Sequence, residues 1–199
     1  MSSDAVVAIT DASDPSEPPR NRRQEETFRK VLTAGREMLR ESSYADLTVR
    51  AVAARAQVAP ATAYTYFSSK NHLIAEVYLD MVRQVPYFTD VNEPMVVRVE
   101  KALRSLALVV ADEPEVAAAC TTALLSGNDE TVRKVRDRIG GEIHRRIRSA
   151  VGPDADSRVV SALEMTYFGA LVNAGSGAYT YHQIADRLSY VVSLILGEK

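Results

Sequence analysis

Apolar residues recur every three or four positions from about Asn21 onward. Phe28, Val31, Leu32, Gly35, Met38 and Leu39 fall on one helical face, and the pattern stops at Ser42-Ser43. Thr48 stands as an N-cap before a short segment reaching Ala56, with Val49, Val52 and Ala53 turned inward. Gln57-Val58-Ala59 interrupts it. Pro60 suits the first turn of a third helix ending near Phe67. Beyond Ser68-Ser69-Lys70, a fourth stripe of Leu73, Ile74, Val77, Tyr78, Met81, Val82 and Val85 runs up to Pro86. The remaining pattern predicts helices over 94–111, 114–126, 129–151, 156–178 and 182–197. No segment alternates apolar and polar residues with hairpin chemistry at its ends. The expected fold class is all-α: a small N-terminal bundle joined to a larger helical body, about nine helices in all.

Composition narrows the picture. Of 199 residues, 46% are apolar and 25% charged, an ordinary globular balance with enough apolar material for one or two cores. One cysteine, Cys120, excludes an intrachain disulfide and a thiolate metal cage. No apolar run approaches the roughly 20 residues that span a bilayer. Residues 1–19 are rich in Ser, Asp and Pro, which predicts a disordered tail, and they lack the basic start of a secretory signal. A cytoplasmic protein with no membrane partner is expected. Charge is segregated: the tail carries four acidic residues and no basic ones, whereas residues 20–75 carry ten Lys/Arg against five Asp/Glu. A basic module on a near-neutral scaffold is the footprint of a polyanion binder, and equally of a solvated basic surface.

Enzyme readings fail on inventory. His72, His144 and His182 are isolated, and no zinc spacing, phosphate loop, dinucleotide fingerprint or nucleophile elbow is present. Neither metal nor cofactor is expected.

The second and third helices are each about two turns long with a four-residue join, the proportions of a helix-turn-helix. That arrangement places Pro60, Ala61, Thr62, Thr65 and Tyr66 where they can enter a major groove. Thr62 can bond a phosphate or a base edge, and Ala61 and the Thr methyls can touch thymine methyls. Tyr64 and Tyr66 bring phenolic donors to backbone oxygens. Thr48 with the first amides of its helix, Arg50, and Lys70 complete a set of phosphate anchors.

The ordered run from Leu47-Thr48-Val49-Arg50 through Ala56-Gln57-Val58, Thr62-Ala63-Tyr64-Thr65-Tyr66-Phe67 and Ser69-Lys70-Asn71-His72-Leu73 resembles the DNA-binding signature of the TetR family of repressors. About 50 residues carry the resemblance, and it is specific as an ordered set. It implies residues 20–70 as a helix-turn-helix DNA-binding domain and 71–199 as an effector-binding and dimerisation domain. It also implies a homodimer built through the last two helices, double-stranded DNA with a palindromic operator as partner, and release by a small effector. The segment from Tyr167 to Leu171 and on to Leu196-Gly197 is similar to actinobacterial regulators of sterol and lipid catabolism. Three positions depart from the family pattern: Gln57 where Gly is usual at the turn, Ala59 where Ser or Thr caps the third helix, and Ala61 where Gly is common. They leave open an alternative, a helical ligand-binding or interaction protein whose helix-turn-helix has decayed.

In the body, Gly169, Ala170, Ala174, Gly175, Gly177 and Ala178 form a small-residue surface suited to close helix approach, with Val191, Val192, Leu194, Ile195 and Leu196 adding apolar area. Tyr87, Phe88, Val99, Leu103, Leu106, Cys120, Leu124, Met165, Phe168 and Val172 are candidate lining residues for a hydrophobic effector such as a lipid, a steroid or an acyl-CoA, and equally candidates for plain core. Arginines crowd the 129–151 helix around its apolar stripe. They read as a second polyanion site or as a solvated face paired with Asp137 and Glu142. A membrane-surface role for that helix is disfavoured, because its apolar stripe is needed for the core.

Overall fold

The computed structural model describes residues 20–125 and 129–197, and among these every regular element is a helix. The acidic tail expected over 1–19 lies outside the described residues. The helices are α1 (Arg22–Glu41), α2 (Val49–Arg55), α3 (Pro60–Tyr66), α4 (Lys70–Arg83), α5 (Met95–Ala107), α6 (Pro114–Leu125), α7 (Glu130–Val151), α8 (Ser157–Gly175) and α9 (Tyr181–Leu196).

Local chemistry sets most of the ends. Asn21 and Gln24 close a capping box on α1, and Thr180 and Gln183 do the same on α9. Thr48, Ser69, Asp129 and Asp156 cap α2, α4, α7 and α8 with their side-chain oxygens. Gly197, left-handed at φ 74°, ends α9. Two ends differ from the pattern. α5 stops at Ala107 rather than 111, because the chain tightens into successive turns from Leu108. α8 stops at Gly175 rather than 178, where Gly177 turns left-handed at φ 79°. Apolar periodicity does not register such a change of backbone.

α2 and α3 pack on α1 and on each other. Phe28 and Phe67 stack at 5.0 Å between centroids, and Leu47, Val52 and Phe67 are fully buried. α4 packs against α1 on one side and against α6 and α7 on the other. The division at residue 70 thus falls at the start of a helix whose buried surface serves both modules. α5, α8 and α9 pack together and complete the body around α7.

Most of the arginines of α7 are paired rather than free, two of them with Glu142, while Arg133 stays exposed. Arg146, 2% exposed, donates from Nε to the Val85 carbonyl at 2.9 Å, from Nη2 to the Arg83 carbonyl at 2.8 Å, and from Nη1 to Glu142 Oε2 at 2.6 Å. It ties off the C-terminal end of α4. Its guanidinium also lies 4.7 Å from the Tyr87 ring centroid. Arg138 donates to buried Glu76 of α4 at 2.6 Å, and Arg83 of α4 donates to Glu142 at 3.1 Å. Burial pushes the Glu142 carboxyl upward, but Arg146, Arg145 and Arg83 outweigh it and hold the group below its usual range. Glu76 is likewise held low, against its burial, by His72 and Arg138. Arg136 and Arg148 donate to main-chain carbonyls of Leu124 and of Gly152 and Pro153.

A second cluster joins α1 to the start of α6, where Arg36 and Arg40 both donate to Glu113. The hydrogen bond from Arg40, followed by that from Arg36, lowers the Glu113 carboxyl from 4.5 to about 2 despite the opposing effect of burial.

Removing the Arg146 guanidinium takes the donor from the Val85 and Arg83 carbonyls and leaves Glu142 with Arg83 and Arg145 alone. Arg146→Met is expected to lower the unfolding free energy by about 2–4 kcal/mol, read from urea unfolding, and a loss within 1 kcal/mol of zero would refute this staple. Glu113 is depressed in the folded state, so its contribution is complete above the unfolded value of 4.5 and is lost as pH falls toward 2. Thermal unfolding of Glu113→Gln between those pH values is expected to fall less steeply than that of the unaltered chain, and parallel curves would count against the assignment.

Candidate DNA-reading module and effector cleft

α3 projects from its bundle through Ala63 and Phe67, the residues that anchor it in the core. Pro60, Ala61, Thr62 and Thr65 are exposed, and Tyr64 is half exposed at 50%. The Thr65 hydroxyl donates back to the Ala61 carbonyl at 3.1 Å. Tyr66 stands apart from this set. It is partly buried, its ring set edge-on to Phe28 at 6.0 Å, so it supports the helix from the core side.

The turn accommodates its unusual residues at a local penalty. Gln57 is the one non-glycine residue with positive φ among those described, at 56°. A left-handed non-glycine residue costs about 1–2 kcal/mol. Ala59 leaves α3 without a side-chain cap, yet Pro60 at its first position still starts the helix. Both modules of the motif therefore form in spite of the departures from the usual residues.

The anchors sit around α2 and α4. Thr48 is exposed, and its hydroxyl accepts the Ala51 amide at 3.1 Å. Arg50 is exposed on the first turn of α2, with no acidic partner among the described residues. Arg55 is different, bound to Glu41 and Glu37. Lys70 donates to the Tyr44 carbonyl at 2.9 Å and lies 4.1 Å from the centroid of its ring. An ammonium has three donors, so two remain for a phosphate. Arg20 lies 3.7 Å over the Phe28 ring and pairs with Glu25, and Arg22 pairs with Glu26.

The body contains an apolar cleft of about 240 Å³ between α6, α7, α8 and the start of α9, with Tyr78 of α4 in its wall. Cys120, Leu124, Phe168 and Val172 line it. The other effector candidates lie elsewhere. Val99, Leu103 and Leu106 are buried core, Tyr87 sits beneath Arg146, Phe88 packs partly buried against the core, and Met165 is 76% exposed on the outer side of α8. Sequence reasoning missed Ile139, Ile143, Leu171, Tyr181 and Arg136, all of which line the cleft. Their signal was present but shared with core packing: Arg136, Ile139 and Ile143 follow helical spacing along α7. Burial raises the Cys120 thiol to about 12, so it stays protonated and behaves as an apolar wall atom rather than a redox sensor.

The outward side of α8 and α9 is apolar. Met165 on α8 and Tyr190 and Leu194 on α9 are each more than 70% exposed, and Phe168 and Val172, also exposed, stand at the edge of the cleft. The small residues divide between two uses. Gly175 approaches Thr121 of α6 so closely that a Cβ there would stand 2.8 Å from its methyl group, whereas Gly169 faces open space.

Residues 31–77 match the model of the bacterial regulatory proteins of the TetR family. A helix-turn-helix transcriptional regulator of Mycobacterium tuberculosis is 70% identical over 202 residues, spanning 98% of this chain and 94% of its own. The chain belongs to the TetR family of transcriptional regulators. Regulators of this family bind DNA and dimerise. The transcriptional repressor KstR of Rhodococcus jostii is 26% identical over 185 residues, 88% of this chain and 85% of its own. A TetR regulator from Rhodococcus sp. RHA1 shares the fold, with a TM-score of 0.71 at 23% identity over 90% of this chain and 99% of that one.

Within this TetR-family chain, relieving the strained turn gives a direct test of its geometry. Gln57→Gly is expected to stabilise the protein by about 1 kcal/mol, a rise of roughly 2–4 °C in Tm. An unchanged or lower Tm would mean that the left-handed turn does not describe the solution structure.

Proposed function

We propose that the protein is a dimeric repressor that holds a palindromic operator with two copies of α3 and lets go when a small apolar effector occupies the cleft. The observation that carries this reading is the exposed face of α3. Pro60, Ala61, Thr62, Tyr64 and Thr65 project together from a module whose larger apolar residues, Phe28, Leu32, Leu39, Leu47, Val52 and Phe67 among them, are buried in its core. Arg50 stands nearby with its charge unspent among the described residues. Residues 20–70 then act as the reader, 71–199 as the effector-binding and dimerisation domain, and α4 as the joint between them.

The outward apolar faces of α8 and α9 support dimerisation through the last two helices. A stable dimer needs about 1,000 Å² or more of buried surface, and two long helices from each copy can supply it. Successive major grooves on one side of the duplex lie about 34–36 Å apart, so a shift of a few ångströms between the two readers breaks register. The apolar cleft supports a lipid-like or aromatic effector. At about 240 Å³ it suits a chain or a ring system and leaves the nucleotide of an acyl-CoA outside. Repression rather than activation is favoured by the relative that bears the name of repressor. A regulator acts where the DNA is, which supports a cytoplasmic location. No helix among the described residues is long and apolar enough to cross a membrane.

Footprinting on the DNA upstream of the protein's own gene, at physiological salt, tests the reading. The expected result is a protected palindrome with half-sites one helical turn apart, or a multiple of it. Arg50→Ala and Tyr64→Phe should each weaken operator binding by roughly tenfold with Tm unchanged. Salt-sensitive binding without a footprint would instead favour the decayed-reader alternative.

A further inference from the structure

The effector cleft holds one charged side chain among its described lining residues, Arg136. Its neighbours on α7 are matched to carboxylates: Arg138 to Glu76, Arg145 and Arg146 to Glu142. Arg136 has no acidic partner among the described residues. Its Nη1 donates to the Leu124 carbonyl at 3.0 Å, at the last turn of α6, and the remaining donors of the guanidinium are uncommitted there. The rest of the lining is almost wholly apolar, with Ile139 and Ile143 on the same helix and Leu171 and Val172 opposite on α8. A partly buried cation beside an apolar hollow is poorly solvated and lacks an anion. A fork-shaped guanidinium pairs best with a planar carboxylate, through two parallel hydrogen bonds.

We propose that the cleft selects an amphipathic monoanion, an apolar chain or ring bearing a carboxylate, with the carboxylate on Arg136 and the apolar body between α6, α7 and α8. This assignment rests on the reading of the cleft as the effector site, and it adds a head-group requirement. A neutral molecule of the same shape fills the hollow and leaves Arg136 without an anion. The acid is therefore held about ten- to a hundredfold more tightly than its neutral analogue, the usual range for a hydrogen bond to a charged group.

Two matched probe pairs test it on the full-length protein: decanoate with decanol, and naphthoate with naphthol. Binding is read by thermal shift and calorimetry, with Arg136→Gln as the variant. Glutamine keeps a side-chain N–H for the Leu124 carbonyl and removes the charge. The expected result is that one of the acids binds at least about tenfold more tightly than its alcohol, and that Arg136→Gln abolishes this preference while binding of the alcohol persists. If acid and alcohol bind equally, or if Arg136→Gln leaves the preference intact, the carboxylate assignment is overturned and the apolar effector cleft stands. If none of the four probes binds the unaltered protein, both the assignment and the effector reading of this cleft fall.

Discussion

The seam of charge between α4 and α7 holds this protein in one piece. α4 is buried along most of its length, against α1 at one side and against α6 and α7 at the other. Apolar packing alone would let such a helix slide or turn, because dispersion contacts are individually weak and non-directional. The pairs Arg138–Glu76 and Arg83–Glu142 are directional, and so are the bonds from Arg146 to the carbonyls of Arg83, at the end of α4, and of Val85 just beyond it. Both carboxylates are buried, so losing one partner weakens the compensation of a charge that water does not reach. The register of α4 on α7 is thereby specified rather than merely favoured.

That register matters because α4 touches both the reader and the cleft. Its first turn begins where α3 ends. The Ser68 amide donates to His72 Nδ1 at 3.1 Å, and the Ser69 hydroxyl donates to Asp129, the cap of α7, at 3.2 Å. Leu73 and Val77 pack against Gly35 of α1, while Tyr78, the next residue, lies in the wall of the cleft. Under the proposed function, a molecule that alters the packing around Tyr78 acts on the helix that carries the reader. The effector needs different affinity for two positions of α4, and DNA must then weaken effector binding by the same factor.

The departures in the helix-turn-helix carry a related lesson. Gln57 and Ala59 are poor choices for a left-handed turn and an N-cap, by about 1–2 and about 1 kcal/mol. The turn forms nonetheless, because Leu47, Val52, Ala63 and Phe67 bury fully in one small core and bring α2 and α3 together. Local propensity is a weak constraint where tertiary burial opposes it.

The helix count, the cap at Thr48, and most of the exposed face of α3 were legible in the amino-acid sequence. They depend on spacings of a few residues, and helical geometry converts such spacing directly into a face. The ends of α5 and α8 were less legible, since they turn on backbone dihedrals that apolar periodicity does not register. The cleft was legible only in part: Cys120, Leu124, Phe168 and Val172 line it, while Leu103 and Leu106, of the same apolar character, are core. An apolar side chain at helical spacing carries no mark saying whether a protein atom or a hollow lies opposite. The arginines of α7 show the same boundary. Their positions around the helix follow from sequence, but their partners, Glu76 and Glu142 for three of them and main-chain carbonyls for Arg136 and Arg148, come from which helices lie alongside and at what height. Composition and periodicity thus determined the helices and their faces, whereas the arrangement of whole helices decided which charges are neutralised, which residues close a core and which surround a cavity.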